Sequence, residues 1–270
     1  MKNLRLLLAY DGTDFAGWQA QAGRFRTVQG VLEEAIEKLT GEETRLLCAG
    51  RTDAGVHALG QVASFQTRSS IPVDRWHLAL REHLPDDVII REVSEVPRRF
   101  HATYSPLSKR YRYLINNSYV EDLFLRRYSW RVRPHLDVEA MQDAAERLIG
   151  TYDFRSFESN WPNNNTSVRT IFDIQVYRSS HVRMLQGFSC HEEGSGNDDF
   201  VAVEVEADGF LYNMVRIITG TLVDVGKGLK TPDDVERIRL GMDRRLAGDT
   251  SPAHGLFLVK VYYPKEEEQL

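Results

Sequence analysis

The segment AGRTDAGVHA at residues 49–58 concentrates side chains that can carry acid–base or nucleophilic chemistry. It brings a cation at Arg51, a carboxylate at Asp53 and an imidazole at His57 together with two glycines, between a short apolar strand and a second predicted strand. Catalytic groups are found disproportionately on loops held between rigid elements, so the segment is a candidate active-site loop. The alternative, which composition alone favours, is a glycine turn in which Asp53 hydrogen-bonds its own backbone.

A second candidate is the strand-like sequence KRYRYLI, which begins at Lys109. Successive side chains of a strand face opposite sides, so Tyr111 and Tyr113 share one face. Arg110 and Arg112 share the other. Aromatic rings that stack on bases beside cations that meet phosphates suit RNA, and we predict that Lys109, Arg110 and Arg112 contact an RNA backbone. The alternative is a strand with its tyrosines in the core and its arginines in water.

A third candidate is Arg216, which stands within an apolar run at residues 210–225 that predicts a buried helix. Most helical arginines lie at the surface with their stems along apolar neighbours. A buried one needs a carboxylate partner, because an unpaired buried charge costs several kcal/mol. Asp53 is the candidate partner.

Several common kinds of site are not indicated. Two cysteines, Cys48 and Cys190, are too few for a disulfide framework or a four-cysteine zinc site. The eight histidines show no HxxxH or HExxH spacing, and neither a phosphate-binding loop nor a GxSxG motif is present. We therefore predict no metal site. The apolar run at residues 6–9 has the length of a strand and not of a membrane span, which together with the few cysteines predicts a cytoplasmic protein.

Hydrophobic periodicity supplies the elements that must position these residues. It predicts strands near residues 4–10, 61–66, 88–93, 109–116, 170–177, 200–206 and 256–263, and helices near residues 28–39, 72–84, 138–149, 210–225 and from 231. Strands outnumber helices without strict alternation, which favours an α+β fold with helices on one face of a mostly antiparallel sheet. A proline-containing loop near residue 105 predicts two domains, residues 1–104 and 105–270. Residues 160–167 are predicted to form an Asn-rich loop, and residues 179–199 a polar insertion between strands.

Five segments, in order along nearly the whole chain, resemble the tRNA pseudouridine synthase A family. They are AYDGTDFAGWQ at residues 9–19, AGRTDAGVHA at 49–58, KRYRYLI at 109–115, FLYNMVRIITGTL at 210–222 and GLFLVKVYY at 255–263. The GRTDAGVHA block is the most specific of them. The resemblance implies two similar α+β halves with the active site in a cleft between them, and a homodimer.

The resemblance also implies an activity and a set of site residues. The activity is conversion of uridine to pseudouridine at positions 38, 39 and 40 of the tRNA anticodon stem-loop, without cofactor or metal. The implied site residues are the nucleophile Asp53, the base-stacking Tyr111, the arginines Arg51 and Arg216, and an apolar wall at Leu256 or Leu258. The carboxylate can attack the anomeric carbon or abstract a ribose proton, and the sequence leaves both roles open. Two alternative functions also stay open: a non-catalytic tRNA-binding protein, and a pseudouridine synthase that acts on another RNA.

The charge of the chain alone argues against a nucleic-acid partner, because the net charge is −5 and the pI is about 5.9. The charges are unevenly distributed, however. Residues 98–133 carry nine cations and two acids, whereas residues 192–208 carry seven acids and no base. The sequence therefore predicts a basic RNA-binding face on an acidic protein.

Overall fold

The computed structural model describes residues 1–21, 23, 25–159, 166–179 and 199–268. The chain divides into two compact units, Met1–Lys109 with Phe257–Leu270, and Arg110–Leu256. Most of the predicted Asn-rich loop and of the polar insertion lies outside the described residues. The division into residues 1–104 and 105–270 stays a prediction about domains, and the unit boundary differs from it because the last strand pairs within the first unit.

The described residues contain the following strands: β1 (Lys2–Tyr10), β2 (Leu47–Cys48), β3 (His57–Thr67), β4 (Val88–Val96), β5 (Ser108–Asn116), β6 (Trp130–Arg131), β7 (Gly150–Asp153), β8 (Val168–Ser179), β9 (Phe200–Ala207) and β10 (Leu256–Tyr262). The α-helices are α1 (Val28–Thr40), α2 (Trp76–Arg81), α3 (Val138–Glu146), α4 (Met214–Gly226), α5 (Pro232–Gly241) and α6 (Lys265–Glu268). Several short 3-10 turns connect them.

The first unit is a sheet in the strand order β4-β1-β3-β10, with the short β2 paired to β3. β1 runs antiparallel to β3 and β4, whereas β10 is parallel to β3. Every second residue of β1 from Leu4 is buried, which gives the sheet one continuous apolar face. α1 contributes its own buried stripe, starts at the N-cap Thr27, whose side chain accepts from Gly30 N–H, and ends at Gly41 in the left-handed region.

The second unit has the strand order β5-β9-β8-β7, with β6 paired to β5. β8 is antiparallel to both β7 and β9. α3 begins at the predicted N-cap Asp137, which accepts from Ala140 N–H at 3.0 Å, and packs against β8 and α4. α4 is apolar almost all round, with residues such as Ile217, Ile218 and Leu222 fully buried. It is therefore a core helix, as its composition predicts.

The predicted α+β class is confirmed: each unit combines helices with a mostly antiparallel sheet. Two predicted helices have boundaries that differ from the structure. The helix predicted at residues 72–84 is a 3-10 turn followed by the short α2, and the helix predicted at 210–225 begins at Met214. Within the described residues, no helix combines the length and the apolar composition that crossing a bilayer requires.

Candidate active site

The candidate active-site loop occupies residues 49–56, between β2 and β3 of the first unit. Asp53 is half-buried at its centre, while Arg51 is exposed. The Val56 N–H donates to the Asp53 carbonyl at 3.1 Å, and Gly55 takes a φ of 76° that lets the chain turn. The loop thus presents one carboxylate from a closed turn.

The loop is fixed by contacts to residues 9–19, the segment that carries the first family-like motif. The Tyr10 hydroxyl lies 2.8 Å from Oγ1 of Thr52, and the Trp18 N–H donates to the Thr52 carbonyl at 3.0 Å. Thr52 is buried and directly precedes Asp53. Holding Thr52 by both its side chain and its backbone restrains the position of the carboxylate that follows it.

Two glycines allow this close approach of backbone to backbone. A Cβ on Gly12 would lie 2.0 Å from the Val56 carbonyl oxygen, and one on Gly17 would lie 2.8 Å from the Thr52 carbonyl oxygen. Gly17 also has a φ of 94°, a conformation that other residues rarely adopt. The glycines of residues 9–19 therefore serve the geometry of the loop.

His57 and Cys48, which flank the loop, are buried and serve its structure. The Gly12 N–H donates to Nδ1 of His57 at 3.0 Å, and the ring stacks on Phe257 with centroids 4.8 Å apart. Burial raises the pKa of the Cys48 thiol to about 12, although the charges of Lys109 and Arg51 act in the opposite direction. A thiol with so high a pKa stays protonated and is a poor nucleophile. Asp53 therefore stays the candidate reactive group of this loop.

In the second unit, Tyr111 stands on β5 with 7% of its surface exposed. Its ring meets that of Phe210 edge to face, with centroids 4.9 Å apart. Phe210 opens the segment that leads into α4. An edge-to-face contact fixes the plane of an aromatic ring, which is what a ring that stacks on a base requires.

The other face of β5 corrects the predicted RNA contacts of Arg110 and Arg112. Arg112 is 1% exposed, and its Nε donates to Glu204 at 2.7 Å. Arg110 lies among Asp173, Glu204 and Glu206, with its Nη2 2.7 Å from Glu206. Both guanidiniums already face carboxylates of β8 and β9, so the structure does not support their assignment to phosphates. The alternative is confirmed for the tyrosines, since Tyr111 and Tyr113 are both buried, and it is wrong for Arg112, which is buried as well.

Glu204 is the centre of this network. It is 2% exposed, and one of its carboxylate oxygens also accepts from the Tyr177 hydroxyl at 2.7 Å. Burial raises the pKa of Glu204, but the charge of Arg112 and the hydrogen bonds from Tyr177 and Arg112 outweigh burial and hold that pKa below its ordinary value. Glu204 is therefore ionised at neutral pH.

Arg216 projects from the first turn of α4 and is half-buried. Its Nε donates to the Ser251 carbonyl at 2.7 Å, and its Nη1 donates to Oδ1 of Asn213 at 2.7 Å. Ser251 in turn donates two hydrogen bonds to the Arg216 carbonyl, one from its N–H and one from its hydroxyl. The guanidinium is thus oriented by the segment before α4 and by the segment around residue 251.

The segment at residues 248–255 contacts both Arg216 and Tyr113 of β5. The Tyr113 hydroxyl donates to the Pro252 carbonyl at 2.7 Å. A Cβ on Gly220 of α4 would lie 1.9 Å from the Asp249 carbonyl oxygen, so helix and segment touch at their backbones. Burial raises the pKa of Tyr113, so the ring stays a neutral donor. This segment leads directly into β10 at Leu256.

The structure groups the predicted site residues by unit. The first unit holds Arg51, Asp53, Lys109 and Leu258, and the second unit holds Arg110, Tyr111, Arg112, Arg216 and Leu256. Leu258 is fully buried opposite Ala58 in the β3–β10 pairing, and Leu256 is 6% exposed. The choice between the two leucines and the ion pair of Asp53 with Arg216 both stay predictions. Among the described residues, no three His, Cys, Asp or Glu side chains are placed to hold a metal ion.

Sequence reasoning missed Asn213, Ser251 and Glu204. Asn213 lies within the FLYNMVR motif, three residues before the predicted buried arginine and thus within reach of it, which is a usable signal for a partner. The spacing of Glu204 and Glu206 by two residues also matches that of Arg110 and Arg112 on another predicted strand. Nothing in the local sequence distinguishes Ser251.

A family model described as tRNA pseudouridine synthase matches residues 7–105 and 144–264, which together are most of the chain. The chain belongs to the tRNA pseudouridine synthase family. The resemblance drawn from the five segments is therefore confirmed, and with it the prediction of an enzyme, since this is a family of isomerases.

Curated relatives match the chain over nearly its whole length. The tRNA pseudouridine synthase A of Acetivibrio thermocellus is 47% identical over 97% of this chain and 100% of the relative. The protein of the same name from Brevibacillus brevis is 46% identical with the same coverage. That from Halalkalibacterium halodurans is 45% identical over 95% of this chain and 90% of the relative. The similarity thus extends well beyond the short motifs.

Proposed function

We propose that this protein isomerises uridine to pseudouridine in tRNA, at positions 38, 39 and 40 of the anticodon stem-loop, with Asp53 as its catalytic residue. The observation that carries the proposal is the Asp53 loop, a single carboxylate held by backbone contacts in a chain of this family. The names of the relatives support tRNA as the substrate. The anticodon positions rest on the resemblance.

The reaction suits a site without a cofactor. The bond from the ribose to N1 of uracil breaks, and a bond from the same ribose carbon to C5 forms, with C5 losing a proton and N1 gaining one. Atoms and electrons balance within the nucleotide. Asp53 acts either as a nucleophile at the anomeric carbon or as a base toward a ribose proton, and both roles require the ionised carboxylate.

The other site residues would stabilise charge and hold the base. Arg216, always protonated, opposes the rise in pKa that desolvation would impose on Asp53. Tyr111 stacks on the extruded uracil, and Arg51 fills the space that the base leaves in the tRNA stack. An apolar wall at Leu256 or Leu258 excludes water, so the detached base is not lost by hydrolysis.

The proposal is tested by Asp53→Asn, which removes the ionisable group and preserves the shape of the side chain. We expect pseudouridine formation in a tRNA transcript to be abolished, with the melting temperature and the tRNA affinity nearly unchanged. Asp14→Asn is the matched control, because Asp14 is an exposed carboxylate of the segment that supports the loop. Retained activity in Asp53→Asn contradicts the assignment of Asp53.

Two alternatives are separated by mapping pseudouridine in total RNA from cells with and without the protein. A non-catalytic tRNA-binding protein predicts no change in any RNA. A synthase of another RNA predicts missing sites outside tRNA. The proposed function is supported if pseudouridine is lost only at positions 38 to 40 of tRNAs.

Homodimerisation and a cytoplasmic location belong to the same proposal. Both rest on the family, whose curated members are named for tRNA modification. Sedimentation at micromolar protein concentration measures the oligomeric state, and a single species near the 31.0 kDa of one chain would rule out the dimer.

A further inference from the structure

Asn213, the residue before α4, has an unusual backbone. Its φ of 62° and ψ of 10° lie in the left-handed region. Among non-glycine residues that the structure describes, Met242 is the other example of a positive φ. Asparagine at the N-terminus of a helix usually caps a backbone N–H, yet its side chain makes no capping bond here. The backbone and the side chain of Asn213 therefore serve something other than the start of the helix.

The amide of Asn213 connects Arg216 to a different segment. Oδ1 accepts from Nη1 of Arg216 at 2.7 Å, and Nδ2 donates to Oγ of Ser159 at 3.0 Å. A guanidinium has donors alone, so the carbonyl side of the amide must face Arg216, which fixes the orientation of the amide. The Ser159 N–H also donates to the Tyr212 carbonyl at 3.1 Å, so Ser159 is itself held in place.

The guanidinium is thereby fixed from two directions. Nη1 donates to Asn213 and Nε donates to the Ser251 carbonyl. These two hydrogen bonds anchor two of the three nitrogens of the planar group. Because the group is rigid, two anchors determine where its remaining N–H groups point. The left-handed backbone of Asn213 is what places an acceptor beside Nη1 three residues before Arg216.

We propose that Asn213 is a positioning residue, which acts on the reaction by orienting Arg216. The inference rests on the proposed function, in which Arg216 opposes the charge of the reacting carboxylate. Asn213 needs no contact with the substrate for this role. Its loss leaves the cation present but removes the anchor on Nη1, so the direction of the guanidinium is less tightly fixed.

The test separates the backbone from the side chain. Asn213→Gly keeps access to the left-handed conformation and removes the amide. We expect a roughly 100-fold slower single-turnover rate of pseudouridine formation, the scale associated with a misplaced catalytic group. The dissociation constant for tRNA should stay within about twofold, since no RNA contact is removed. Met242→Gly is the matched control, a glycine at the other left-handed position, and should react at the wild-type rate.

A double-mutant cycle shows whether Asn213 acts through Arg216. If it does, adding Asn213→Gly to Arg216→Lys slows the reaction by less than about threefold, because the orientation of the guanidinium no longer matters. If the fold-losses in rate of the two single variants multiply in the double variant, the proposal is overturned. A wild-type rate in Asn213→Gly also overturns it. If Asn213→Gly fails to fold, Ser159→Ala decides: it removes the outer anchor of the amide and should slow the reaction by about 3- to 10-fold.

A separate measurement distinguishes failure of this inference from failure of the proposed function. A wild-type protein that forms no pseudouridine in tRNA contradicts the function. The guanidinium N–H resonances of Arg216 then still report its orientation, and they should shift or broaden in Asn213→Gly but not in Met242→Gly. Unchanged resonances overturn the positioning role whatever the activity.

Discussion

Arg216 shows how one side chain depends on backbone acceptors. Its Nε meets the carbonyl of Ser251, and Ser251 in turn bonds the carbonyl of Arg216, so helix α4 and the segment around residue 251 are joined at this residue. The acceptors at Ser251 and Asn213 fix the direction of the guanidinium, which is what the proposed role of Arg216 requires.

For Arg216→Lys we expect pseudouridine formation to slow by roughly 100-fold or more, because an ammonium keeps the charge but cannot occupy both acceptors of the guanidinium at once. Single-turnover kinetics with a tRNA transcript measures this loss. The control is Arg239→Lys, which changes another largely buried arginine, on α5 beside Glu236. A lowered melting temperature with a normal rate in Arg216→Lys would make Arg216 a structural residue.

At the scale of elements, β5 is a strand with two different faces. One carries Tyr111 and Tyr113 toward aromatic and backbone partners. The other carries Arg110 and Arg112 into the carboxylates of β8 and β9, centred on Glu204. The buried ion pairs set which strand lies beside β5, since a shifted register would leave a charge buried without a partner.

Glu204→Gln should lower the free energy of unfolding at pH 7 by about 3 kcal/mol, because it leaves Arg112 buried without its counter-charge. The pKa of Glu204 is below its ordinary 4.5 in the folded protein, so its contribution is complete above about pH 4.5 and is lost as the pH falls through the folded value. Urea unfolding as a function of pH should therefore show a shallower acid loss in the variant. Glu206→Gln, at a more exposed position of the same strand, should cost less.

Much of this element level could be predicted from the sequence, and the limits have physical causes. Repeats of 2.0 and 3.6 residues locate strands and helices such as β1 and α1, because each buries one face locally. The two-residue β6 exists through its partner β5 and has no pattern of its own. The start of α4 depends on Asn213, whose left-handed backbone is stabilised by distant side chains. Motifs indicated the candidate active-site loop, whereas the partners of Arg112 could be identified only by knowing which strands pair.

At the scale of the whole molecule, the predicted separation of a basic segment from an acidic one holds only in part. The predicted basic face includes Arg110 and Arg112, but acids of the predicted acidic segment, Glu204 and Glu206, pair with them. The opposite segments thus partly cancel inside the second unit. Exposed arginines of the basic segment remain nearby in sequence at Arg126, Arg127 and Arg133. They are better candidates for phosphate contacts than the strand arginines.

We expect tRNA affinity to fall steeply with salt, and the double variant Arg126→Ala/Arg127→Ala to reduce the slope of log K against log salt by roughly 1 to 2, about one per lost phosphate contact. Filter binding from low to physiological salt measures the slope. Arg245→Ala, which removes an exposed arginine on another segment, should leave it unchanged. A flat salt dependence of the wild-type protein contradicts a basic RNA-binding face altogether.

The pairing of β10 with β3 has a consequence for the order of events on the ribosome. His57 lies beside Phe257 in the ladder, so the sheet of the first unit waits for a strand that is synthesised long after its neighbours. The second unit is continuous from Arg110 to Leu256, so almost all of it is synthesised between β3 and β10. The sheet of the first unit therefore cannot be completed before the second unit has been synthesised, unlike the usual case in which the N-terminal part can finish folding first. Until residues 256–262 are available to pair, one side of β3 is an open edge that a chaperone or a wrong strand can occupy.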